Sequence, residues 1–476
     1  MRKLLLPILL ACFSIAQAQT PCVGGMAGSY PCNGYDLQVF IPCTDFGANN
    51  ANDSWGWTDP MDDKEYALVG LDNGIAFLDI SDPTNPTYLG KLPTHTDASL
   101  WRDVKVYNNY AFVVSEASGH GMQIFDLTRL RNVANPPEIF TEDAHYSGFN
   151  RAHNIVINEE TGYAYGVGTD TYNGGAHFVN IQDPLNPVGE GGYQGSNYTH
   201  DAQVIIYNGP DSDHTGKELY VGSNENQVVI VDVTDKSSPQ LIASATYSNT
   251  AYTHQGWFTE DLRYFIVGDE IDELNFGFNT RTIIFDFSDL DAPQLSFEYS
   301  GPTLATDHNG YVMENRFYLA NYKAGMRVID ISDISNGNMT EVGSFDIFPS
   351  NDEPGYDGAW NVYPYFASGN LIITTLKYSN PNYVPGFYLV RPSTLSVEDN
   401  SLSYFNLFPN PSTNYVEINS LETPISRIQI FDISGKLIFA NNYSSEINIK
   451  LNISSLTNGI YLLKINDQFI KKLIKN

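Results

Sequence analysis

One short apolar run that ends on an acidic residue recurs along the chain and limits its fold more than any other feature. The clearest copy is Gln227-Val-Val-Ile-Val-Asp232. Close relatives of it are Ile75 to Asp79, Met122 to Asp126, Ala176 to Asn180, Thr282 to Asp286 and Met326 to Asp330, with Phe387 to Arg391 as a seventh that has lost the acid. Counted from Asp79, the steps are 47, 54, 52, 54, 44 and 61 residues. A unit of roughly fifty residues lies in the propeller range, where neighbouring copies stack to bury a continuous core.

The sixth unit shows the internal order. Asn309 to Met313, Arg316 to Asn321, Met326 to Ile331 and Thr340 to Phe345 are four β-rich runs separated by turn residues, which makes one four-stranded blade. The third run usually leads into a turn such as Asp82-Pro-Thr-Asn-Pro86 or Asp183-Pro-Leu-Asn-Pro187. There Asp can accept from the backbone two residues on, and Pro fixes φ. The acids that end the third runs are therefore read as structural, since a catalytic group is needed once and these recur. First runs start near Trp55, Trp101, His153, His200, His254, His308 and Asp357, so an all-β, seven-bladed propeller is predicted over residues 54–395. The seventh blade lacks a fourth strand, and a bare edge invites aggregation. The isolated run 36–41, in a Cys-bearing segment 19–53, is expected to fill that place and close the ring.

The flanks read differently. Arg2 and Lys3, an apolar run from Leu4 to Ile15 and Ala16-Gln-Ala18 make residues 1–18 a secretory signal peptide. No later run reaches transmembrane length. In an oxidising compartment Cys22 and Cys32 are a disulfide candidate, with Cys43 left over; the other pairings stay open. Residues 396–403 form a polar linker, and 404–476 hold several alternating strands that suggest a small, Ig-like β-sandwich. Net charge is −30, yet residues 398–476 carry seven acids and seven bases. The acidity thus falls on the repeat region, which excludes nucleic acid as a partner and disfavours anionic lipid.

Two resemblances then cover nearly all of the chain. Trp55-Gly-Trp57, Glu65 to Leu71, Leu100-Trp-Arg-Asp-Val104, His120 to Leu130, Tyr198-Thr-His-Asp-Ala202, Thr253-His-Gln-Gly-Trp257 and Asn321-Tyr-Lys-Ala-Gly325 resemble the LVIVD-repeat propellers of the choice-of-anchor B group. That likeness implies the fold and no particular reaction. Leu407 to Ser412, the turn Asp432 to Lys436, Leu456 to Ile465 and the lysine-rich end resemble the type A sorting domain of the type IX secretion system of Bacteroidetes. The resemblance implies that residues 404–476 engage that machinery and deliver the protein beyond the outer membrane, secreted or held at the cell surface.

The most suggestive chemistry is positional. His153, His200, His254 and His308 share one register at the start of consecutive first strands, alongside Arg102, Asp103, Asp201, Asp307 and Asp357. First strands line a propeller channel, so these groups are candidates for a binding site at its mouth, with the four imidazoles as candidate ligands of a divalent metal ion. The opposing reading gives each ring a structural bond to the neighbouring blade. Asp269-Glu-Ile-Asp-Glu273 reads as a solvated acidic loop with a weaker calcium reading, and His120, His145, His177 and His214 read as single surface or core residues. No nucleophile elbow, phosphate loop or dinucleotide fingerprint is present. The leading expectation is an exported binding or scaffold protein for a glycan, protein or small molecule. Its alternative is a metal-dependent extracellular hydrolase at the channel mouth. The two differ in whether the four rings converge on one point.

Overall fold

A computed structural model describes residues 19–195, 197–393, 405–420, 424–432, 436–466 and 469–476. The signal-peptide and linker expectations, 1–18 and 396–403, lie outside them. The chain divides into two compact units, 1–392 and 393–476.

Among the described residues of the first unit there are seven sheets, antiparallel except where Glu138–Ile139 pairs parallel with Thr87–Pro93 at the edge of the first. Their first strands are Ala51–Thr58, Arg102–Tyr107, Asn154–Asn158, Asp201–Ile206, Thr253–Phe258, Gly310–Met313 and Gly358–Tyr363. Each first strand contacts the next, and the seventh contacts the first, so the ring closes in a propeller-like arrangement around these strands. The second and third strands are apolar on both faces. Tyr66, Leu68, Ile75 and Phe77 of the first sheet, for example, pack on Val104, Val113 and Phe125 of the second, which is the burial that an isolated unit cannot achieve. Outer strands such as Gln294–Ser300 are largely exposed on one face.

The acids at the third-strand ends do what turn chemistry requires. Asp79, Asp126, Asn180, Asp232, Asp286 and Asp330 each accept, through Oδ1, the backbone N–H two residues on, at 2.8–3.1 Å. Asp82, Asp183, Asp235 and Asp289 repeat the bond in the following turn.

The N-terminal segment binds two sheets rather than one. Tyr35–Pro42 pairs antiparallel with Gly386–Pro392 on the outer side of the seventh sheet. Just before it, Met26–Ala27 and Tyr30–Asn33 form a hairpin that extends the sixth sheet, with Cys32 opposite Phe345. A disulfide joins Cys22 to Cys32, and Cys43 is a buried free thiol. Nothing in the sequence pattern signals the sixth-sheet contact, because only Cys32 and Asn33 of a four-residue strand make it. Nor does it signal the true start of the first sheet: its inner strand begins at Ala51, ahead of Trp55, with a bulge at which Asn52 and Asp53 together oppose Gly70.

The second unit is all β. Phe405–Phe408, Tyr415–Ser420 and Asn448–Asn452 make one sheet, and Leu437–Glu446, Ile425–Asp432, Gly459–Ile465 and Phe469–Lys475 make the other. Between them lie Val416, Ile418, Ile428, Ile430, Leu451, Leu463 and Leu473.

Candidate functional site at the channel mouth

The four imidazoles of the shared register stand in a row across successive sheets. Ring centroids are 4.1 Å apart from His153 to His200, 4.1 Å from His200 to His254 and 4.3 Å from His254 to His308. Trp360 continues the row at 4.2 Å from His308. Two of these rings are placed by bulges. His254 is the extra residue between the pairs Thr253–Asp269 and Gln255–Gly268, and Trp360 is the extra residue between Ala359–Thr375 and Asn361–Thr374. A bulge re-aims one side chain without disturbing the ladder beyond it.

The rings do not share a single role. His200 Nδ1 bonds the carbonyl of His254 at 3.0 Å, and His308 Nδ1 bonds that of Trp360 at 2.6 Å, each on the next sheet. Those bonds are the structural device. His153 instead pairs with Glu116 at 2.7 Å. Burial works against the His153 charge, but the Glu116 carboxylate outweighs it and raises the pKa. His254 has no hydrogen-bond partner on either ring nitrogen, although it is buried. Its Nε2 and that of His308 lie 3.8 and 3.7 Å from the two oxygens of Glu270. Burial holds His200 and His254 well below the ordinary imidazole value and His308 at about 3, while it lifts Glu270 to about 7 against the hydrogen bond from Tyr322. The four rings therefore do not meet at one point; two of them meet at Glu270.

Glu270 also lines a pocket of about 160 Å³ with Leu100, Trp101, Tyr322, Tyr356, Trp360, Leu376 and Tyr378. Tyr322 donates to Glu270 Oε1 at 2.7 Å. Trp101 and Tyr378 are exposed. The pocket is thus an aromatic cup with one carboxylate at its base. It is smaller than the roughly 300–1,000 Å³ clefts that enclose a drug-sized ligand, so it suits the tip of a larger molecule.

Deeper in the ring, Asp53, Asp103 and Asp201 surround Lys105, whose Nζ lies 2.6 Å from Asp103 Oδ1 and 4.7 Å from the Trp55 ring. Burial opposes the lysine charge, yet the three carboxylates raise its pKa, and burial lifts Asp53 and Asp201 to about 7. Asp53 accepts from Asn309 at 2.6 Å and from Trp360 Nε1 at 3.1 Å, tying the first sheet to the sixth and seventh.

Three residues expected at the mouth are set against neighbouring sheets or turns. Arg102 is fully buried and donates to Leu71 O, Thr94 Oγ1 and His120 Nε2, so it joins the first and second sheets. Asp357 caps a turn by accepting from the backbone of Tyr378, Ser379 and Asn380. Asp307 lies against the fifth sheet, where a Cβ on Gly268 would sit 2.7 Å from its Oδ2. Its two carboxylate oxygens have no hydrogen-bond partner, and burial followed by Asp272 and Asp269 pushes its pKa well up.

The acidic run 269–273 is not a solvated loop. Asp269, Asp272 and Glu273 are buried. Asp269 accepts from Tyr247, Ala251 and Tyr252, and Asp272 pairs with Arg281 at 2.6 Å. Some histidines read as single are also partnered. His145 stacks on His95 at 3.9 Å beside Glu142, His214 bonds Asp291 at 2.9 Å, and the Tyr146 hydroxyl bonds His177 at 2.7 Å. Glu270, Tyr322, Tyr356 and Tyr378 come from loops and strand ends of three sheets, and no periodicity links them; a run of Tyr and Trp near strand ends was the available signal.

Comparison with known proteins gives the architecture two landmarks. Residues 64–94, 101–127, 215–246 and 311–347 match the LVIVD repeat. Residues 406–476 match the secretion system C-terminal sorting domain. No curated protein matches the chain. Among solved structures, PorZ, an essential bacterial surface component of the type IX secretion system of Porphyromonas gingivalis, is similar at 12% identity and a TM-score of 0.49, over 90% of this chain and 60% of that one. A protein from Lactobacillus plantarum is similar at 11% identity and a TM-score of 0.43, over 84% of this chain and 98% of that one. A functionally unknown protein from Desulfotomaculum acetoxidans has 12% identity and a TM-score of 0.43, over 69% and 98%. The sorting domain marks the chain for type IX export to the cell surface or the extracellular space. Among the described residues no helix is long and apolar enough to cross a membrane.

Proposed function

We propose that this exported chain of LVIVD repeats is a binding protein that takes the end of a glycan into the aromatic cup at its channel mouth. The observation that carries the reading is the cup itself: Trp101, Tyr322, Tyr356, Trp360 and Tyr378 around the carboxylate of Glu270. The flat faces of sugar rings pack on aromatic side chains, and a convergent carboxylate and tyrosine hydroxyl accept and donate to sugar hydroxyls. The rigid ring of sheets holds these groups in place without ligand. The reading takes residues 1–18 as a signal peptide and the tail as the part handled by the secretion machinery.

The alternative, a metal-dependent hydrolase, keeps one favourable observation, the approach of His254 and His308 to Glu270. It loses His153, which pairs with Glu116, and His200, whose ring nitrogens do not join the group formed by His254, Glu270 and His308. The test is titration of the purified mature chain with a panel of oligosaccharides. Trp101→Ala and Tyr378→Ala, both at exposed rings, should each weaken binding about tenfold, equivalent to ~1.4 kcal/mol, with folding unchanged. Failure to bind any oligosaccharide, or wild-type affinity in both variants, would sink the proposal.

A further inference from the structure

The base of the cup contains an arrangement that hydrogen bonding does not explain. His254 is 1% exposed, and neither ring nitrogen has a partner. A neutral imidazole always carries one N–H and one lone pair, and leaving both unmet in a buried site is costly. Beside it stand the Nε2 of His308 and the carboxylate of Glu270, and one donor atom from each of the three residues lies within 4.8 Å of the others. The nitrogen-to-oxygen separations of 3.8 and 3.7 Å are too long for hydrogen bonds. They are close to the roughly 3.0–3.4 Å edges that follow from metal–ligand bonds of about 2.1 Å.

We propose that His254, His308 and Glu270 bind a divalent first-row transition ion, zinc in the simplest case, with its open coordination position facing the aromatic cup. The surroundings suit that role. The 2.6 Å bond from His308 Nδ1 to the Trp360 carbonyl requires the proton on Nδ1, which leaves the Nε2 lone pair bare toward the site. Tyr322 orients Glu270 through a 2.7 Å bond to Oε1. Two imidazoles and one carboxylate form a donor set suited to zinc and its neighbours, and an anionic ligand answers the divalent charge. Two other groups of similar composition lack these features. In His95, Glu142 and His145 the rings stack at 3.9 Å and each already has a partner, His95 Nδ1 bonding Glu142 at 2.9 Å and His145 Nε2 the His120 carbonyl at 2.7 Å. In Asp211, His214 and Asp291 the Nδ1 of the histidine lies 3.2 Å from the ammonium of Lys217.

This inference deepens the reading of the cup as a ligand site, because sugar hydroxyls are ligands for the open position. It is tested separately, on the full mature chain stripped with chelator, dialysed against zinc and analysed for bound metal, with cobalt absorption as a second readout. Stoichiometric zinc is expected, with Glu270→Gln and His254→Ala each weakening it on the order of 100-fold, and His145→Ala leaving it unchanged. Glu270→Gln keeps the acceptor for Tyr322, so it carries the test if His254→Ala fails to fold. Absence of stoichiometric zinc, zinc retained in Glu270→Gln, or zinc lost in His145→Ala would overturn the proposal. Metal-free protein that still binds an oligosaccharide would leave the cup standing without a metal, and metal-loaded protein that binds none would do the reverse.

Discussion

Arg102 and His120 determine each other's chemistry. The guanidinium donates to His120 Nε2 at 2.8 Å, while His120 Nδ1 bonds the Gly121 carbonyl at 3.1 Å, so the ring must stay neutral. Burial and then the Arg102 charge lower its pKa from 6.5 to about 3. Below pH 6.5 the unfolded chain binds a proton that the folded chain refuses, so stability from this residue is complete above 6.5 and falls as pH drops toward 3. Each tenfold difference in proton affinity between the folded and unfolded chain is worth about 1.4 kcal/mol. His120→Gln keeps an acceptor for Arg102 without a titrating ring. Urea unfolding between pH 4 and 8 should show a shallower acid limb for this variant than for the wild type; parallel limbs would contradict the assignment. Arg102 is also where sequence register misleads. Sharing a position with four histidines suggested the mouth, but a long side chain at a strand start can turn outward to neighbouring carbonyls, and only the packing reveals which way it goes.

At the scale of elements, bulges and edges decide what the strands can do. His254 and Trp360 enter the row of rings as the extra residue of a bulge, and the same device places Asp53 beside Asn309 and Trp360. Period-two patterning is blind to a single inserted residue, so register alone points to His254 and leaves Trp360 and Asp53 without a signal. The outer strand Tyr35–Pro42 was legible, since a seventh unit one strand short beside a spare apolar run leaves little choice. It protects the edge of Gly386–Pro392. Val39 is buried there against Phe387 and Leu389. Val39→Asp places an unpaired carboxylate in that contact and should cost about 3 kcal/mol. Thermal unfolding and size-exclusion chromatography should show a lowered midpoint and self-association, and an unchanged profile would mean that this strand does not hold the ring together.

For the molecule as a whole, division of labour follows the break between the two units. Residues 406–476 carry the sorting domain, and the acidic repeat region lies before it. A chain ending at residue 395 should therefore fold with the thermal stability of the ring intact yet stay inside the cell envelope. Fractionation of cells expressing it would settle this, and its appearance outside the cell would show that the tail is not required. The sequence by itself determined the all-β repeat architecture, the turn acids, the outer strand of the seventh sheet and the export address. Each of these is written in local order: a recurring apolar period, an Asp two residues before the N–H it accepts, a motif at the chain end. Tertiary structure alone decided that His254 and His308 meet Glu270, that Asp307 and Arg102 belong to sheet contacts, and that Asp269, Asp272 and Glu273 are buried. Those outcomes depend on which residues from different sheets arrive at the same place, and on the direction a bulge gives one side chain. Neither is encoded in the spacing of residues along the chain.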